Sequence, residues 1–389
     1  MGMGMGLGLS MNLYKNSEGR LPLVHILMAT CEGERYLGEQ LASIQAQTYS
    51  HWVLHVSDDA STDATLEVLR AFEKTLETLD LSHERQSLSS SRVFYYKGPK
   101  KGSTQNFLHL VQSVMARYDQ EADEVSKTQT NETKLGAAGG QQRMFHQNDL
   151  FAYADQDDVW LPEKLERALA WHTSSKSELS QMKPFDQKEV GLKQEATRSC
   201  PMLYAARTIK VDAQLKPLGL SKLPKGPLNF NAALVENTLS GNTMVMNLDL
   251  MKVLRDIKLE HSVWHDWSTY QVASACYGEV KFDEHPCLLY RQHADNVIGV
   301  KEGLLDQSVR MLKVANGRYK SWTETNLLGL KDIEDQMSLE AIELVSLFRE
   351  IRACQVFWRR LSLIGGLHIR RQNIFFQCLI YLGLLGSWV

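Results

Sequence analysis

The chain has 389 residues, 43% of them hydrophobic and 23% charged, which is enough apolar material for one large α/β domain with appendages. A formal net charge of −3 removes the basic excess expected of a general nucleic-acid binder. The six cysteines are scattered without a CxxC pair, which argues against a zinc site or a disulfide framework and suits a reducing, cytoplasmic setting.

Residues 1–20 open on the low-complexity run MGMGMGLGLS, which lacks the basic and apolar regions of a signal peptide and reads as a disordered leader. LVHILMAT (23–30) is a β-branched apolar run that predicts a strand, followed by a helix carrying Leu37, Leu41 and Ile44 on one face. HWVLHVSDDASTD (51–63) is a second strand ending in acids, and the helix after it turns Leu66, Leu69 and Phe72 inward. RVFYYKG (92–98) is a third strand, with a helix from STQNFLHLVQSVM. Residues 119–148 and 173–200 are polar, show little periodicity and read as surface insertions. LFAYAD (150–155) is a fourth strand, and Pro162 stands where the first position of another helix accepts proline. Beyond residue 300 the chain reads as helices. The alternation predicts a mostly parallel sheet flanked by helices, with ligands bound beyond the carboxyl ends of its strands.

Those carboxyl ends are polar: Thr30, Asp58 with Asp59, and Asp155. Asp155, Asp157 and Asp158 crowd three carboxylates into four positions, a costly arrangement unless a positive partner arrives. A solvated helix-capping turn would account for such a cluster alone. A second acidic pair at the neighbouring strand end favours a metal or ligand site. Asp155 and Asp157 can offer hard oxygens to Mg²⁺ or Mn²⁺, ions that take the rest of their shell from water and substrate phosphates.

The ordered set MATCEGERYLGEQLASIQAQTY, VSDDASTD, GPKKGSTQNF, ADQDDVW, LSGNTMVMN, HDWSTYQVAS and LLYRQHADNVIG resembles family 2 glycosyltransferases of the GT-A fold. Among them it looks most like bacterial rhamnosyltransferases of cell-surface polysaccharide synthesis. The resemblance spans residues 21–300. It implies that Ala29, Thr30, Glu32, Asp58, Asp59, Lys101, Gly102, Asn106, Asp155 and Arg291 line the nucleotide-sugar donor. It further implies that Asp155, Asp157 and His293 are candidate ligands of Mg²⁺ or Mn²⁺, and that Asp266 is the general base. Family members commonly carry a Thr-Tyr-Asn run where this chain has Thr30, Cys31 and Glu32. The expected reaction is inverting transfer of a sugar, foremost rhamnose from dTDP-rhamnose, to a glycan or lipid-linked saccharide. UDP-glucose or UDP-galactose as donor, and a non-catalytic assembly partner of the same fold, are the alternatives. Residues 301–389, with Arg359, Arg360, Arg370 and Arg371 among apolar runs, predict a helical region able to lie on the cytoplasmic face of the inner membrane.

Overall fold

The computed structural model describes residues 14–15, 19–82, 92–132, 144–181, 200–293 and 318–386; the leader read over 1–20 lies almost wholly outside them. Nine strands form one sheet: β1 (Val24–Thr30), β2 (Trp52–Asp58), β3 (Val93–Lys97), β4 (Leu150–Ala154), β5 (Val159–Trp160), β6 (Met202–Val211), β7 (Pro217–Leu220), β8 (Val245–Asn247) and β9 (Glu279–Arg291). Their order is β3-β2-β1-β4-β8-β6-β9-β5, with β7 beside β6. The pairings make β1–β4, β6 and β9 run one way and β5, β7 and β8 the other. This is the mostly parallel α/β sheet expected, with antiparallel strands in its second half.

All seven residues of β1 are buried, as are the five of β4, because helices cover both faces of the sheet. On one face lie α1 (Glu34–Gln45), α2 (Thr65–Ser82) and, beyond α3 (Ser103–Glu132) in sequence, α4 (Lys164–Gln181). Leu37, Leu41 and Ile44 of α1 meet Leu69, Phe72 and Leu76 of α2 there. Each fully buried side chain contributes about 1.5–3 kcal/mol, so truncating Leu41 to Ala would cost about 2–5 kcal/mol. The other face packs on α3, on α5 (Phe230–Ala233), α6 (Leu248–Leu254) and α7 (His265–Ala275), and on α8 (Arg318–Asp332) and α9 (Leu339–Ala353). The helices α10 (Phe357–Gly365) and α11 (Ile374–Leu385) complete the helical C-terminal region.

The segment 119–148 begins as helix rather than irregular chain: α3 continues to Glu132 after its apolar face, Phe107 to Met115, has ended. Its Gln, Glu, Ala and Lys residues are strong helix formers, which explains helix without amphipathic periodicity. Helix α4 likewise runs to Gln181; residues 133–143 and 182–199 lie outside the described residues.

The pairing register brings the polar strand ends together. Thr30 is the cross-strand partner of Asp58, and Met28 pairs with Ala154, so Asp155 follows at the same edge of the sheet.

Candidate active site

Beyond that edge lies a cavity of about 950 Å³. Ala29, Thr30, Glu32, Asp59, Gly102, Asn106, Asp155, Asp157, Asp266 and His293 all line it. Asp58, Lys101 and Arg291 do not.

The acidic turn between β4 and β5 places one oxygen from each of Asp155, Asp157 and Asp158 within 4.8 Å of the others. The three carboxylates have different surroundings. Asp158 is fully buried; its Oδ2 accepts the Asn242 side-chain N–H at 2.6 Å and its Oδ1 the Arg291 backbone N–H at 3.2 Å. Burial, with Asp157 and Asp155 beside it, drives its pKa well above the usual carboxylate range, against these two hydrogen bonds. Asp157 Oδ2 lies 2.7 Å from His293 Nε2. Asp155 faces the cavity, and burial together with the charges of Asp157 and Asp266 pushes its pKa up to about 7, with Lys164 opposing.

Three cationic or basic groups surround this turn. Lys164, fully buried at the start of α4, donates through Nζ to the Asn242 carbonyl at 2.6 Å and stands 3.5 Å above the Trp160 ring. Burial lowers its pKa to about 8. Arg291 is also buried: its guanidinium bonds the Asp157 carbonyl at 2.8 Å, the Ala213 carbonyl at 2.7 Å and the Glu39 carboxylate, and covers the Tyr36 ring. It holds the turn from behind rather than reaching into the cavity. His293 is the third.

The loop after β2 is built around Asp58 and Asp59. Asp58 accepts from Thr30 Oγ1 at 2.9 Å and from the Ser61 backbone and hydroxyl, bracing the loop. Asp59 accepts the backbone N–H groups of Lys100 at 2.5 Å and Gly102 at 2.8 Å, which fixes the loop before α3 while Lys101 itself stays exposed. Lys100 has φ 59° and Gly102 φ 88°, so the loop turns through two left-handed residues. Asn106 is anchored to Ser57 by two hydrogen bonds. Gly98 is required by close approach: a Cβ there would lie 2.7 Å from the Asp58 carbonyl and the Asp59 carboxylate. Across the cavity, Gln156 exchanges two 2.9 Å bonds with the Cys31 backbone, and a side chain at Gly33 would strike it at 2.5 Å.

Asp266 lines the same cavity from the first turn of α7, where the helix N-terminus favours a negative charge. Its Oδ1 accepts the Trp267 N–H at 2.7 Å. Trp264 lines the cavity, whereas Trp267 is core and donates to the Ala233 carbonyl. His265 stacks on Phe107 at 4.1 Å, and burial lowers its pKa.

The sequence reading missed Lys164, Asn242, Gln156 and Tyr36. Gly241–Thr243 forms a 3-10 turn, and nothing in its residues announced that Asn242 would tie Asp158 to Lys164.

Among the described residues lining the cavity are seven carboxylates (Glu32, Glu34, Asp59, Asp63, Asp155, Asp157, Asp266) against one arginine, Arg35. A phosphate-bearing ligand would be repelled from this wall unless a cation entered with it. The oxygens of Asp155 and Asp157, with the His293 ring nitrogen beside them, suit an oxygen-preferring divalent ion, whose charge would offset the repulsion between the carboxylates.

Residues 25–118 match the family described as Glycosyl transferase family 2. The dTDP-rhamnosyl transferase RfbG of Shigella flexneri is 24% identical over 300 residues, 75% of this chain and 81% of its own. Two solved structures are also similar. One is S. aureus TarS 1-349 in complex with UDP-GlcNAc (14% identity, 85% and 81% coverage, TM-score 0.41). The other is the Pyrobaculum calidifontis mannosyltransferase PcManGT in complex with GDP-Man and Mn²⁺ (13% identity, 98% and 92% coverage, TM-score 0.39). Residues 25–118, which run from β1 into α3 and carry Thr30, Asp58, Asp59 and Asn106, thus match a family 2 glycosyl transferase domain.

Proposed function

We propose that the chain transfers a sugar from a nucleotide-sugar donor with inversion, in a reaction that depends on Mg²⁺ or Mn²⁺. The observation that carries this reading is that Asp266 faces Asp155 and Asp157 inside one cavity, close enough for Asp266 to raise the Asp155 pKa. Asp155 and Asp157, with His293, would hold the cation, which supplies neutralising charge for a leaving nucleoside diphosphate.

The chain's own residues do the rest. Asp59, Gly102 and Asn106 shape the end of the cavity that receives the nucleoside, with Thr30 and Glu32 at its floor and rim. Arg291 and Asn242 keep the acidic turn in place from the protein side. Asp266 takes the proton of the acceptor hydroxyl as that oxygen attacks the anomeric carbon, a role in which a positioned carboxylate contributes about 100- to 10,000-fold. A base on one side of the sugar and the diphosphate on the other describe in-line displacement. Trp264 offers a flat apolar wall for a sugar ring.

The name of the Shigella relative makes dTDP-rhamnose the first donor to test, with UDP-glucose and UDP-galactose as the competing ones and a glycan or lipid-linked saccharide as acceptor. A panel of nucleotide sugars, assayed for hydrolysis and transfer with and without Mn²⁺, tests the reading. Metal-dependent turnover of one donor supports it, and binding of no donor in either condition overturns it.

A further inference from the structure

Seven of the fifteen large hydrophobic side chains exposed among the described residues lie on or next to α10 and α11. On α10, Phe357, Trp358 (76% exposed) and Leu361 stand at i, i+1 and i+4; on α11, Ile374 (82%), Phe375 and Leu382 stand at i, i+1 and i+8. Aromatic and aliphatic side chains concentrated this way cost solvation free energy in water and mark an interaction surface. No helix among the described residues is long and apolar enough to cross a membrane, so these helices would lie on a surface rather than span it.

The charge of the region selects the occupant. After Glu350 the chain contains no Asp or Glu and five arginines: Arg352, Arg359, Arg360, Arg370 and Arg371. Arg352 and Arg371 are paired with Glu324 and Glu236 and Arg360 is buried, so the exposed positive charge of the region rests on Arg370 and on Arg359, whose pair with Glu350 is exposed and weak. A second copy of the chain would bring arginine against arginine. An anionic surface would meet both the apolar side chains and the positive charge.

The helix pair is fastened to the active site. Buried Arg360 donates to the Cys354 and Leu385 carbonyls, locking α10 to the end of α11. The turn between them is clamped to α5 and the segment after it: Arg370 N–H donates to the Asn231 carbonyl at 3.1 Å, and Arg371 reaches the Val235 carbonyl at 2.6 Å and the Glu236 carboxylate at 3.2 Å. Asn237 and Thr238, the next residues, already line the cavity.

We propose that the exposed apolar stripes of α10 and α11, with Arg359 and Arg370, dock the enzyme on an anionic lipid bilayer, and that the Arg371–Glu236 clamp holds the cavity at a fixed position relative to that surface. On the transferase reading given above, the acceptor is then lipid-linked; the docking itself does not depend on that reading.

Flotation of the full-length protein with vesicles tests it, using about one-third phosphatidylglycerol in phosphatidylcholine against pure phosphatidylcholine. The wild-type protein should float at least about tenfold more with the anionic vesicles, and about 0.5 M NaCl should reduce this. A Trp358→Ser/Phe375→Ser variant should lose the flotation. An Arg359→Glu/Arg370→Glu variant should lose the preference for anionic lipid. Both should keep wild-type melting temperature and donor binding, since the four side chains are exposed and remote from the cavity lining. Equal flotation with both vesicle types, wild-type flotation of the Trp358/Phe375 variant, or a wild-type dimer that this variant dissociates would each overturn the proposal.

Discussion

Asn242 and Asp158 stand 84 residues apart in sequence and 2.6 Å apart in the fold, the amide of one donating to the buried carboxylate of the other. The same asparagine accepts the Lys164 ammonium on its backbone carbonyl. A buried carboxylate, a buried ammonium and the amide between them thus brace the wall on which Asp155 and Asp157 stand. Removing the hydrogen-bond partner of a buried polar group costs more than the bond contributes, because the remaining group keeps its desolvation penalty.

Asn242→Ala leaves Asp158 without its amide donor and should destabilise the protein by about 1–3 kcal/mol. Urea unfolding followed by circular dichroism measures this. A change below about 0.5 kcal/mol would mean that Asp158 finds another donor or water at no cost.

Asp155 titrates at about 7 in the folded chain, against 3.8 ordinarily, chiefly because of its burial. Between those values the folded state holds a proton that the unfolded state has released, so this group lowers metal-free stability as pH rises from about 4 to about 7. Mn²⁺ needs the ionised form, so its affinity should rise with pH up to about 7 and level off above it. Asp155→Asn should match wild-type metal-free melting near pH 3.5, exceed it near pH 8 and bind Mn²⁺ weakly throughout. Thermal shift with and without Mn²⁺ at the two pH values checks all three, and a variant no more stable than wild type at pH 8 contradicts them.

Gly98→Ala puts a methyl group 2.7 Å from the Asp58 carbonyl and the Asp59 carboxylate, and 2.8 Å from Asn106 Oδ1. The backbone must shift, and Asp59 and Asn106 with it. Nucleotide affinity should fall about tenfold, equivalent to about 1.4 kcal/mol, while the Mn²⁺ affinity of the distant acidic turn changes little. Calorimetric titration with the nucleoside diphosphate and with Mn²⁺ separates the two.

His25 and His55 form a buried pair, 3.0 Å apart, with His55 also 3.0 Å from the Tyr96 hydroxyl. Burial and the neighbouring charges of His25 and Arg117 hold the His55 pKa well below 6.5. The unfolded chain therefore takes up a proton that the folded one refuses, and this stability is lost as pH falls below 6.5. His55→Asn should flatten the fall in stability between pH 6.5 and 5, measured by denaturant unfolding at each pH. An unchanged slope would assign the acid sensitivity to other groups, such as His51 and His265, whose pKa values are also lowered by burial.

The strands that lead to the site were legible because each is a continuous apolar run ending in polar residues: 23–30, 51–63, 92–98 and 150–155 contain β1 to β4, the second run overshooting β2 by five residues. The second half of the sheet was not. β5 and β8 are two and three residues long, and β9 contains Pro286 and mixes exposed with buried positions, so neither length nor alternation marks them. Ten of the thirteen predicted site residues line one cavity, since acids at strand ends have a distinctive pattern. Arg291 was expected to line the donor, and nothing in the sequence marked it as a buried brace behind the acidic turn. Lys164 gave no signal, because a lysine in a first helical turn looks like surface until the fold folds it under Trp160.

The most direct test of the central claim is Asp266→Asn, assayed for transfer and, separately, for binding of the nucleotide-sugar donor with Mn²⁺. The exchange keeps size and removes the proton acceptor. Turnover should fall by at least about 100-fold while donor affinity stays within about threefold of wild type. Turnover within a few-fold of wild type would take the base role from Asp266 and contradict the account.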